Sequence, residues 1–86
     1  MKTVRKYVLR PNEANAIITT LYHRILFAGI QNDQIVLFIE EWIDSGSKEI
    51  KVVCRETDKP INYLSPDEYI TTAIFPDIEY HIYKLV

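Results

Sequence analysis

The sequence predicts a small, mainly β protein: an antiparallel sheet, a sandwich or a partly open barrel of about six strands, with room for one short helix. Three observations lead there. β-Branched and aromatic residues recur in short runs, and such side chains suit a pleated, half-buried surface. The runs are interrupted by residues that reverse a chain, at Asn32-Asp33, Asp44-Ser45-Gly46-Ser47 and Pro76-Asp77. The 86 residues leave room for a single core, because a chain of this size buries only about 60–65 % of the surface its unfolded form exposes. One domain spanning residues 1–86 is expected.

Strands are expected over 3–9, 24–31, 34–42, 48–55, 68–75 and 78–85. The first carries Val4, Tyr7 and Leu9 among four cations, Lys2, Arg5, Lys6 and Arg10, a charge load that suits an edge strand. Residues 12–22, NEANAIITTLY, obey two periods. Ala14, Ile17, Ile18, Leu21 and Tyr22 fall on one helical face, with Asn12 placed as N-cap, while Ile17, Ile18, Thr19 and Thr20 are four consecutive β-branched residues that favour extended chain. The next two strands form a hairpin, since Asn32 and Asp33 both tolerate the left-handed backbone of a tight turn. In 48–55, Ile50, Val52 and Cys54 alternate onto one buried face. Ser65 is placed to cap a helical turn begun by Pro66. In the last strand Ile78, Tyr80 and Ile82 read as core, and Glu79, His81, Tyr83 and Leu85 face the other way.

The run Ile35 to Ile39 is apolar on both faces of its strand, so one layer does not suffice. Either the sheet closes into a barrel or sandwich, or a second copy of the chain covers the exposed face. Phe38 and Trp42, opposite Ile35, Leu37 and Ile39, are the expected subunit contacts, and Tyr22 with the 57–68 loop is the alternative cover within one chain.

Composition narrows the function classes. Ten basic against twelve acidic residues lack the clustered positive charge that duplex nucleic acid requires. Apolar runs of five to seven residues fall far short of the roughly 20 that cross a bilayer, and MKTVRKYVLR lacks the apolar segment of a signal peptide, so a cytoplasmic, non-membrane location is expected. The single cysteine makes no internal disulfide. A thiol nucleophile would need Cys54 beside His23 or His81, yet Cys54 reads as buried. Three His and Cys residues far apart do not make a zinc site, Glu40 and Glu41 point to opposite faces, and no glycine-rich phosphate loop occurs. No enzymatic activity, metal or cofactor is expected.

Several short motifs resemble those of a small, uncharacterised phage and prophage protein family: Lys6, Tyr7 and Leu9 in a first strand, then Ile25 and Leu26, Gln31 and Asn32 in a turn, and Pro60 and Ile61. Tyr69, Ile70 and Thr72, and then Tyr80, His81 and Tyr83, complete the set near the end of the chain. The chain departs from the pattern at Val8, where proline is usual, and at Asp33, where glycine follows Gln-Asn. The resemblance implies extended structure over 15–20, leaving the helix as runner-up. It also implies a small phage-type protein that antagonises host defence.

Six tyrosines and one tryptophan favour binding, since a tyrosine ring stacks on a ligand while its hydroxyl stays hydrogen-bonded. His81 and Tyr83 are expected to line a groove with residues of the preceding strand, Tyr69 with Thr71 or Ile70 with Thr72. Arg5, Tyr7, Arg24 and Arg55 are candidates to meet phosphates or rings. The expected function is sequestration of a nucleotide immune signal, a cyclic nucleotide or related small molecule, in a homo-oligomer. The alternative is a protein-binding inhibitor or an accessory structural subunit.

Overall fold

The computed structural model describes residues 1–61 and 66–86 and is a two-layer β-sandwich. Seven strands run in order: β1 (Lys2–Leu9), β2 (Ala14–Thr20), β3 (His23–Gln31), β4 (Gln34–Trp42), β5 (Ser47–Glu56), β6 (Asp67–Ile74) and β7 (Glu79–Leu85). A 3-10 turn, Ile43–Ser45, joins β4 to β5. The first sheet has strand order β1-β4-β3 and the second β2-β5-β7-β6, with every pairing antiparallel. The sheet does not close into a barrel; the other sheet covers the inward row Ile35, Leu37 and Ile39 and leaves Val36 and Phe38 on the outer face.

The strand additional to the six expected, β2, is the segment with two periods. Its burial alternates, with Ile17 and Thr19 buried and Ala16 and Ile18 exposed, because residues 14–20 pair along their whole length with β5. That ladder supplies more than a lone three-turn helix would, and the β-branched run fits it without loss of rotamer freedom. Asn12, the expected helix cap, instead takes a left-handed backbone (φ 59°) in the crossing from the first sheet to the second. There its amide donates to the Cys54 carbonyl at 2.8 Å and its side-chain oxygen accepts from the Glu56 amide at 3.1 Å. Asn15 braces the same crossing by bonding both the amide and the carbonyl of Arg10.

The turns follow their residues. Asn32 and Asp33 have φ of 51° and 61° in the β3–β4 hairpin, and Gly46 has φ of 92° where the chain re-enters β5. The capped turn expected at Ser65 lies outside the described residues, and the chain is already strand at Asp67.

Leu9, Ile35, Leu37, Ile39 and Ala28 of the first sheet meet Ile17, Ile50, Val52, Cys54, Ala73, Tyr80 and Ile82 of the second. Two β-bulges adjust the faces: between Ile25 and Phe27 in β3, and between Tyr69 and Thr71 in β6. The second bulge carries Tyr69 and Thr72, three apart, to the same outer face, which plain alternation forbids. This decides the composition of the site below.

Candidate functional site

Because Ile50, Val52 and Cys54 of β5 and Tyr80 and Ile82 of β7 point inward, Arg55, His81 and Tyr83 must point outward. The cross-strand pairs Arg55↔His81, Tyr69↔Tyr83 and Thr72↔His81 then bring five of the expected ligand residues onto the outer face of the second sheet. The residues that share this face with His81 and Tyr83 are therefore Tyr69 and Thr72, a combination that only the bulge permits.

The side chains interlock. The Tyr69 and Tyr83 rings meet edge to face with centroids 5.6 Å apart, and the Arg55 guanidinium lies 4.3 Å from the Tyr83 centroid. Tyr69 and Thr72 hydroxyls are 2.7 Å apart, Thr72 Oγ1 is 3.2 Å from His81 Nδ1, and His81 Nε2 is 2.8 Å from Thr57 Oγ1. The Thr57 hydroxyl donates to Glu79 Oε1 at 3.3 Å. A carboxylate only accepts, so with His81 neutral the whole chain has one direction. Nε2 carries the proton and donates to Thr57, Nδ1 accepts from Thr72, and Thr72 accepts from Tyr69. The tyrosine hydroxyl at the open end keeps its oxygen lone pairs as acceptors.

The remaining expected ligand residues lie elsewhere. Tyr7 and Arg5, on β1, converge on Glu41, a carboxylate only 2 % exposed on the inner face of β4. Glu41 Oε2 accepts from the Tyr7 hydroxyl and from Thr19 Oγ1 (2.7 Å), and Oε1 lies 3.4 Å from Arg5 Nε. Burial, then the Glu41 contact, pushes the Tyr7 phenol above its usual 10.0. Arg24 is on the outer face of the first sheet, paired with Glu40 at 3.0 Å. Glu40 and Glu41 thus do face opposite ways.

Phe38 and Trp42 share that outer face of the first sheet. Phe38 stacks on Phe27 with centroids 4.9 Å apart, and Lys2 Nζ sits 5.2 Å from the Trp42 ring centre. Val4, Val8 and Phe27 on this face are each 53 % exposed, whereas Val36, paired with Val8 and Gly29, is buried. Tyr22, the alternative cover, is itself 66 % exposed.

An open cleft of about 590 Å³ lies where the β1–β2, β3–β4 and β6–β7 connections meet, floored by Leu9, Ile35 and Tyr80. Cys54 is fully buried, and desolvation pushes its thiol up to about 12, which removes it as a nucleophile near neutral pH. Among the described residues no three His, Cys, Asp or Glu side chains gather as metal ligands. Among the same residues no helix is long and apolar enough to cross a membrane.

Sequence reasoning missed Thr57, Phe27, Thr19 and the buried state of Glu41. Thr57 follows β5 in a loop, where no period marks it; Phe27 is displaced by a bulge; and Glu41 gains its partners only from the β1–β4 register and the packing of β2.

Compared with known proteins, residues 1–86 match the model of one protein family, described as a domain of unknown function (DUF7352). No curated protein and no solved structure matches the chain.

Proposed function

The chain belongs to the DUF7352 family of domains of unknown function, and we propose that it acts by binding a small planar ligand of the nucleotide class on the outer face of its second sheet. The observation that carries this is the convergence of Arg55, Tyr69, Thr72, His81 and Tyr83 on one surface. Rings of this kind stack on bases with little regard to sequence, at roughly 1–3 kcal/mol per base, and the Tyr69 oxygen is an acceptor for a base or sugar donor. The face is flat, and one side of a bound ring stays in water unless something closes over it. The reading therefore includes a homo-oligomer in which a neighbouring copy completes the pocket, with Phe38 and Trp42 as subunit contacts. The biological setting proposed is that of the phage proteins the sequence resembles: a cytoplasmic antagonist of host defence that holds a nucleotide immune signal without altering it.

A second reading is favoured by the half-exposed Val4, Val8 and Phe27 around Phe38, an apolar surface of the kind that takes a protein partner. In that case the chain is a protein-binding inhibitor or accessory subunit.

A melting-shift panel of cyclic di- and trinucleotides and ADP-ribose derivatives separates the two. Ligand at about 100 times its dissociation constant stabilises the fold by about 2.7 kcal/mol, a rise on the order of 10 °C for a domain of this size. The ligand released on heating is expected intact by chromatography. No shift across the panel supports the second reading, and a cleaved ligand overturns the non-enzymatic claim.

A further inference from the structure

At the end of the sandwich where the 3-10 turn enters β5, a cavity of about 280 Å³ opens onto Glu41, with Arg5, Thr19, Thr20 and Ser47 in its walls. Glu41 continues the inward row of Ile35, Leu37 and Ile39, where an aliphatic side chain would fill the layer at no electrostatic cost. Burying a carboxylate there costs several kcal/mol unless it is paired. Two hydroxyls serve one of its oxygens. The other meets Arg5 Nε at 3.4 Å, longer than the roughly 2.7–2.9 Å of a good charge-assisted bond. A carboxylate has about four acceptor positions, so this oxygen is under-used. The Arg5 side chain is 61 % exposed and therefore costs little to move aside.

We propose that Glu41 is the anion of a binding site for a small organic cation, a guanidinium or primary ammonium head group, and that Arg5 is an internal stand-in which the ligand displaces. The cation takes the free lone pairs of Glu41 Oε1. Its remaining N–H groups meet the hydroxyl oxygen of Thr20, whose own proton is donated to the Tyr22 carbonyl at 2.6 Å, and that of Ser47. The cavity lies just below the roughly 300–1,000 Å³ of drug-sized sites, which suits a head group on a short chain and not a nucleotide. The site is separate from the tyrosine face and does not depend on it.

Isothermal titration of the full chain with agmatine and with cadaverine tests this, using acetate as the anionic control. Wild type is expected to bind both amines and not acetate. Arg5→Ala, which removes the competing cation from an exposed position, is expected to tighten binding roughly three- to fivefold. Glu41→Gln is expected to abolish it. Unchanged or weaker binding in Arg5→Ala overturns the proposal, even if Glu41→Gln fails to fold. So does amine binding that survives Glu41→Gln, or no binding to either wild type or Arg5→Ala.

Discussion

Cys54 and Glu41 occupy the same buried layer and answer opposite questions about it. A thiol whose value rises from 9.0 to about 12 keeps its proton in the folded chain while the unfolded chain releases it. The contribution of Cys54 to stability is thus fully present below about pH 9 and is lost as pH rises from there toward 12. Chemical denaturation at closely spaced pH values between 9 and 10 is expected to show stability falling in the wild type and a smaller slope in Cys54→Val. Glu41 is expected to cost the fold when removed alone. Glu41→Leu leaves the Thr19 hydroxyl buried without its acceptor and weakens the hold on Tyr7, a loss of roughly 1–3 kcal/mol. The combined Glu41→Leu, Tyr7→Phe, Thr19→Val variant is expected to recover most of it, because an apolar replacement of a whole polar cluster is often neutral or stabilising. Cys54 was legible in the sequence, since its burial follows from alternation with Ile50 and Val52. The destination of Arg5 and Tyr7 was not: a cluster of N-terminal cations says that charge is present, and only the pairing of Thr3 with Glu41 and Tyr7 with Leu37 says which carboxylate receives it.

Element-scale behaviour turns on β2, the bulges and the turns. The extended state of residues 14–20 follows from the β-branched run Ile17 to Thr20, with the helical period of Ala14, Ile17, Ile18, Leu21 and Tyr22 a by-product: Ile17 and Thr19 face the core while Ile18, Leu21 and Tyr22 are exposed. Hydrophobic spacing was ambiguous here, and side-chain stiffness was the better guide. The hairpin at Asn32-Asp33 and the re-entry at Gly46 were legible, because few residues take a left-handed backbone without strain. The bulges were not, since an extra residue in a strand leaves no mark in composition, and the one at Ile70 sets which residues share the tyrosine face. Gly46 offers a clean test of the backbone argument. A Cβ there meets nothing within 4 Å, so Gly46→Ala is expected to lose only the backbone preference; at φ 92° and ψ −169° the position lies in a region open essentially to glycine alone, and the loss in unfolding free energy is roughly 1–3 kcal/mol. Gly46→Asn is expected to lose as much, because the tolerance of asparagine is for the left-handed helical region. At Gly29, by contrast, an added Cβ comes within 3.3 Å of Phe27 Cε2, and Gly29→Ala is expected to disturb the Phe27–Phe38 stack as well.

The whole molecule is a slab with two unlike outer faces. One carries Phe27, Phe38 and Trp42 among Lys2, Lys6 and the Arg24–Glu40 pair; the other carries the hydrogen-bonded run from Tyr69 to Glu79. The proposed assembly uses the first and the proposed ligand the second. Light scattering is expected to give a mass well above the 10.1 kDa of one chain, lowered by Trp42→Ala, because interface tryptophans often contribute 2 kcal/mol or more on truncation. A monomer at high protein concentration removes the oligomer from the proposal. The mainly β class was legible from the short β-branched and aromatic runs, whereas the choice of a sandwich over a barrel or a single sheet was not, because it depends on which strands pair. Which face meets what was not, because exposure on an outer sheet depends on registers between residues 26 to 40 positions apart. Binding on the tyrosine face is tested by amide chemical-shift mapping of the labelled chain against the nucleotide panel. Perturbations are expected to centre on Arg55, Tyr69, Thr72, His81 and Tyr83 and to vanish in His81→Ala and Tyr83→Ala. Perturbations centred on Phe27, Phe38 and Trp42, or none with any member of the panel, would contradict binding on that face.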